Sequence, residues 1–83
     1  MVTEAQVLES IRDIARSELE VDRSIQPHDD LLGDLGLDSL GLTVLAVGLE
    51  NRFRVRLSQE DAVAVRTVAD LAALVARRSE VPA

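Results

Sequence analysis

The 83-residue chain carries 15 acidic residues against nine basic ones, all of them arginine, for a net charge of −6, with no cysteine and one aromatic residue, Phe53. That length allows one domain with one small core, and the missing cysteines exclude a disulfide framework, a thiolate nucleophile or a thiolate metal site. The acidity repels nucleic acid and a lone aromatic offers no stacking platform, so the expected partners are proteins with basic surfaces.

Met1-Val2-Thr3-Glu4 lacks the basic-then-apolar opening of a signal peptide. No apolar run reaches the roughly 18 residues that a membrane-spanning helix needs. A cytoplasmic protein with no membrane contact is the expectation. Thr3-Glu4-Ala5-Gln6 matches a capping box, with Thr3 as N-cap and Gln6 reaching back. Val7, Leu8, Ile11, Ile14, Ala15 and Leu19 then recur at three- and four-residue spacing. Glu4, Glu9, Arg12, Asp13 and Arg16 fill the other face. The spacing predicts an amphipathic helix over about 4–19.

A loop over 20–38 follows, broken by Pro27, Gly33 and Gly36. Structureless connections this long are unusual in small domains and often functional. Leu31, Leu32, Leu35 and Leu37, with Ile25, are expected to pin it to the helices. A second helix is predicted over about 39–53. Leu42, Leu45, Ala46, Leu49 and Phe53 make one apolar stripe; Leu40, Val44 and Val47 make another, displaced around the axis. A helix apolar on most of its circumference is either central to a core or exposes a binding surface. So small a domain has little core to surround it, so one stripe should be partly exposed near Ser39.

Phe53-Arg54-Val55-Arg56-Leu57 alternates like a strand but has nothing to pair with; it reads as an extended connector with Val55 and Leu57 turned inward. Ser58-Gln59-Glu60-Asp61 opens a short helix over about 59–64. Thr67-Val68-Ala69-Asp70 caps a final helix over about 68–78. Its apolar face is Val68, Leu71, Ala72, Leu74 and Val75, and Arg77 and Arg78 complement its C-terminal dipole. Ser79 to Ala83 reads as a frayed tail. The prediction is a single all-α domain over 1–83, an irregular four-helix bundle of three main helices and one short one, with a long loop between the first two.

The chemistry concentrates at Asp34-Leu35-Gly36-Leu37-Asp38-Ser39-Leu40, where the loop ends and the second helix starts. Asp38 suits an N-cap. Ser39 then falls at or beside the first helical position, where unpaired N–H groups and partial positive charge tolerate a phosphate. An Asp-Ser helix start is common and alone signifies only capping. A functional-length loop, an apolar helix, small size and acidity coincide with it here.

Leu35-Gly36-Leu37-Asp38-Ser39-Leu40 resembles the Gly-x-Asp-Ser-Leu signature of acyl carrier proteins. The resemblance covers nearly the whole chain. Glu50-Asn51-Arg52-Phe53-Arg54-Val55-Arg56-Leu57 is similar to the family's charged helix end, aromatic residue and following connector, and Thr67-Val68-Ala69-Asp70-Leu71 to the start of its last helix. The resemblance implies that Ser39 takes 4′-phosphopantetheine from coenzyme A, with an acyl, aminoacyl or polyketide intermediate carried on the terminal thiol as a thioester. It implies a non-catalytic carrier, expected to be monomeric; a chain from Met1 to Ala83 with no second domain is expected to be free-standing and to act in trans. The implied partners are a phosphopantetheinyl transferase and separate acyl- or aminoacyl-loading and synthase enzymes. Asp38, Leu40, Val44 and Val47 are the implied transferase and partner contacts; Leu45, Ala46, Leu49 and Phe53 are the inner face.

One departure bears on the pathway. Carriers of fatty acid synthesis resemble one another in having acids along this helix, whereas here none lies between Asp38 and Glu50. An apolar docking face rimmed by Asp29, Asp30, Asp34 and Glu50 is expected, and polyketide or other specialised biosynthesis ahead of fatty acid biosynthesis. An aminoacyl carrier also resembles Asp38-Ser39-Leu40-Gly41 and Glu50-Asn51-Arg52-Phe53; the Gly-Gly-x-Ser of peptidyl carriers is absent. The alternative from another class is an unmodified helical interaction module.

The remaining candidates are bland. His28, the single histidine, reads as a solvated loop residue, and no Gly-x-Ser-x-Gly elbow accompanies Ser39, so a hydrolase is disfavoured. Asp29, Asp30, Asp34 and Asp38 lack the ligand spacing of a calcium loop, so no metal is expected. Glu50 and Arg54 stand at pairing distance on one helix face.

Overall fold

The computed structural model describes residues 2–21 and 23–79, and among these it is all-helical. Four helices follow in order: α1 (Glu4–Glu18), α2 (Ser39–Phe53), α3 (Gln59–Ala64) and α4 (Val68–Arg78). There is no strand among the described residues, only one isolated antiparallel bridge between Asp30 and Thr67. The tail from residue 80 onward lies outside the described residues; Ser79 itself is the C-cap of α4.

Each helix starts where a side chain can satisfy the orphan N–H groups of its first turn. Thr3, Ser58 and Thr67 close reciprocal capping boxes with Gln6, Asp61 and Asp70. Asp38 caps α2 alone, its Oδ1 accepting the Gly41 N–H at 2.7 Å. α2 stops at Arg54, which adopts left-handed backbone at φ 53°, and Val55 N–H turns back to the Glu50 carbonyl at 3.3 Å.

α1 packs mainly on α4 and secondarily on α2, while α3 touches α2 lightly. The core between them holds Val7, Ile11, Ile14 and Ala15 from α1, Leu45 and Leu49 from α2, and Val68, Leu71, Ala72 and Val75 from α4. Gly48 lets α1 and α2 approach closely, since a Cβ there would stand 2.8 Å from Ile14 Cδ1.

The long first connection is anchored at both ends. Arg12 of α1 donates from Nε and Nη2 to the Ile25 carbonyl at 3.0 and 2.9 Å. Ala69 N–H bonds the Pro27 carbonyl at 2.8 Å, Val68 N–H the Asp29 carbonyl at 2.9 Å, and Leu31 N–H the Arg66 carbonyl at 3.0 Å. Ile25, Leu31, Leu35 and Leu37 are buried beneath it. Gly36, at φ +68°, makes the left-handed turn that delivers Leu37 to the core.

Three particulars differ from the sequence reading. Leu32 is exposed rather than pinned, because the turn from Asp30 to Asp34 points neighbouring leucines to opposite sides. Asp29 is buried, not at a rim: its Oδ2 accepts the Gln26 N–H at 2.8 Å and lies 3.6 Å from Arg23 Nη2. Glu50 turns away from Arg54, and its Oε2 accepts the Leu57 N–H at 2.8 Å, which ties the connector to α2.

Candidate functional site

Ser39 is the first residue of α2 and is exposed. Two constraints put it there. Gly36 and buried Leu37 fix the approach of the loop, and the Asp38 carboxylate fixes the first turn through Gly41 N–H. Gly41 is itself buried against Leu37, whose Cδ2 would lie 3.4 Å from an added Cβ. The Ser39 carbonyl accepts the Thr43 hydroxyl at 2.9 Å, while no hydrogen bond engages the Ser39 hydroxyl or the Ser39 and Leu40 N–H groups among the described residues.

Those features suit a phosphodiester. A group esterified to the hydroxyl would displace no existing bond, would project into solvent, and would sit at the positive end of a 15-residue helix with free donors. The chain's own residues therefore fit 4′-phosphopantetheine, which supplies a thiol on a long flexible arm. No cluster of His, Cys, Asp or Glu fit to hold a metal occurs among the described residues.

Ser39 also stands on the wall of a cleft of about 990 Å³ that runs between α2 and α3. Leu42, Thr43, Ala46 and Val47 form one side, and Ala62 and Val63 part of the other. Among the described residues, the large apolar side chains most exposed to solvent are Leu32 at 59%, Leu40 at 72%, Val47 at 47% and Val63 at 80%. Leu32, Val47 and Val63 line this cleft, and Leu40 follows Ser39 directly. Exposed apolar surface gathered in one place marks a binding region rather than chance.

Asp38, Ser39 and Leu40 thus stand together at the start of α2, and Val47 lies two turns further along the helix on the same cleft as Ser39. Val44 is half-buried, as are Ala46 and Phe53, while Leu45 and Leu49 are fully inside. Leu32 and Val63 are the additions that sequence reasoning missed. Leu32 sits in a leucine-rich run with no period, and Val63 in a helix of six residues, too short to reveal a face. His28 is exposed and 3.9 Å from Asp29, and no hydrogen bond joins it to Ser39 among the described residues.

No described helix is long and apolar enough to cross a membrane. A family model described as the phosphopantetheine attachment site matches residues 9–75. The chain is similar to the acyl carrier protein of Chlorobium phaeobacteroides, 41% identical over 81% of this chain and 87% of that one. It is similar also to the acyl carrier protein of Syntrophobacter fumaroxidans, 42% identical over 74% and 76%. A solved structure of a provisionally assigned acyl carrier protein from Mycobacterium tuberculosis superposes with a TM-score of 0.73 at 36% identity, covering 92% of this chain and 97% of that one. On fold, on matched residues and on identity, this chain belongs to the acyl carrier protein family, whose members hold 4′-phosphopantetheine as a covalent prosthetic group.

Proposed function

We propose that Ser39 is the residue that carries the phosphopantetheine arm, and that this chain is a non-catalytic carrier shuttling a thioester-linked acyl intermediate between separate enzymes. The observation that carries this reading is the position of Ser39: exposed, at the capped start of α2, with an unengaged hydroxyl on the wall of the apolar cleft. Ser10, Ser17, Ser24 and Ser79 do not line the cleft, and Ser58, which does, has its hydroxyl engaged in capping α3.

The partners in this reading are a phosphopantetheinyl transferase and the loading and synthase enzymes of a cytoplasmic pathway, met by a monomer. Asp38, Leu40, Val44 and Val47 are the contacts, with Leu40 and Val47 the most available. With no acid between Asp38 and Glu50, docking is chiefly apolar, and a polyketide or other specialised cargo is favoured over housekeeping fatty acids.

Intact mass after incubation with coenzyme A and a broad-specificity phosphopantetheinyl transferase tests the assignment. One added phosphopantetheinyl group on the unaltered chain and none on Ser39→Ala is the expected result. No addition to a folded chain, or addition that survives Ser39→Ala, overturns it; the first outcome would leave a helical interaction module.

A further inference from the structure

α3 is the least anchored helix of the molecule. It runs six residues, none of them buried, and rests on α2 at a few points. So short a helix has little stability of its own, because the cost of nucleation is spread over few hydrogen bonds. One side chain from elsewhere supplies much of what holds it.

Arg78, in the last turn of α4, donates from Nη1 and Nη2 to Oδ2 and Oδ1 of Asp61 at 3.1 and 2.9 Å. Nη1 also donates to the Arg56 carbonyl at 3.0 Å. A single guanidinium therefore ties both the connector ahead of α3 and α3 itself to α4. A two-pronged guanidinium–carboxylate pair fixes orientation as well as attracting, which a point charge does not. Asp61 is committed twice, since its Oδ2 also accepts the Ser58 N–H at 2.9 Å.

Beneath α3 lies an apolar void of about 10 Å³, bordered by Leu42, Ala46, Leu57, Asp61, Val65 and Leu74 among others. It has room for about one water and few polar partners to offer it, so it is a gap in the packing rather than a hydration site. Outside it, the larger cleft runs past α3 to Ser39. Asp61, the residue that Arg78 holds, is on the border of that gap.

We propose that Asp61, Arg78 and the Arg56 carbonyl form a latch that holds α3 closed over this void, and that α3 opens locally when the latch breaks while α1, α2 and α4 stay packed. Its bearing on cargo rests on the reading of Ser39 as the loading site: the latch sets how readily the wall facing Ser39 gives way to whatever Ser39 holds.

Amide hydrogen exchange by NMR on the unmodified full chain tests the latch whether or not Ser39 takes the arm, and the mass experiment tests that separately. The reporters are Ala62 and Val65 N–H, bonded to the Ser58 and Asp61 carbonyls, with Ile11 N–H in α1 as the core reference. Arg78→Gln removes the charged fork, and Asp61→Asn removes the charge while keeping an acceptor for Ser58 N–H. Each should speed exchange at Ala62 and Val65 by roughly three- to tenfold, and the double variant should do no more than Arg78→Gln alone, which removes the bond to the Arg56 carbonyl as well. That exchange should also stay insensitive to urea below the unfolding transition, the mark of local opening. Unchanged exchange, additive effects, or the same urea dependence as Ile11 would overturn the latch.

Discussion

α1 buries Val7, Ile11, Ile14 and Ala15, and α4 buries Val68, Leu71, Ala72, Leu74, Val75 and Ala76, whereas α2, equal in length to α1, buries only Gly41, Leu45 and Leu49, and α3 buries nothing. Yet α2 is the most apolar of the four by sequence, with Leu40, Leu42, Val44, Leu45, Val47 and Leu49 in one helix. In the first pair the apolar residues form one stripe that goes inside, Leu8 only in part. In the second pair apolar residues exceed what the small core can cover, and the surplus gathers around the cleft beside Ser39. One half of the molecule makes the fold, and the other half presents a surface on it.

The largest effect should come from breaking the first half. Ile11→Ala deletes a fully buried side chain and should cost about 2–5 kcal/mol by urea denaturation. Val63→Ala on exposed α3 should stay within about 0.5 kcal/mol. Comparable losses at the two positions would contradict the division.

A smaller effect separates the two duties of Asp38. Asp38→Ala removes the only side-chain cap of α2 and should cost about 1 kcal/mol. Asp38→Asn retains a cap acceptor and should keep most of that stability. If Asp38→Asn nevertheless slows modification of Ser39 by the transferase, measured by mass against time, the carboxylate is a transferase contact as well as a cap. Equal modification rates for Asp38→Asn and the unaltered chain would restrict it to capping.

Leu40→Ser and Val47→Ser sharpen the comparison from the other side. Both residues are exposed, Leu40 more than Val47, so stability should move by no more than about 0.5–1 kcal/mol. Affinity for a docked synthase, measured by calorimetry, should fall severalfold. Undiminished affinity in both variants would argue against an apolar docking face.

The smallest effect is a response to acid. The Ser58 N–H and the Arg78 guanidinium hold the Asp61 carboxyl below its ordinary value of 3.8. The Thr67 and Arg66 N–H groups do the same for Asp70. Both groups bind a proton less readily folded than unfolded, so their contribution is complete above about 3.8 and declines as pH falls through their lowered values. NMR shifts of α3 and the first turn of α4 should therefore be steady from neutral pH down to that value and drift toward coil below it. A drift that begins well above 3.8 would point to other groups.

Residues near one another in sequence made much of this legible. The pairs Thr3 with Gln6, Ser58 with Asp61, and Thr67 with Asp70 are three apart, and each forms the capping box that its spacing implies. The stripes of α1 and α4 are likewise visible as periods, because a single buried face imposes one. Asp38 and Ser39 are readable for the same reason, as cap and first helical residue. Side chains whose partners are set by the path of a loop, which follows no helical period, gave no such signal. Asp29 looks like one more loop acid until Gln26 N–H and Arg23 close around it, and Glu50 looks like a partner for Arg54 until Leu57 N–H reaches it. Val63 and Leu32 carry no pattern, and only the course of the chain puts them on the cleft.

By itself the sequence determined the helices, their starts, the inner stripes and the exposed serine, since caps and periodicity act within one or two turns. The tertiary structure alone decided which apolar residues remain outside, where the cleft opens, and that Arg78 reaches back 17 residues to Asp61. Those outcomes depend on how much surface three packed helices can cover, a property of their arrangement in space that no single segment contains.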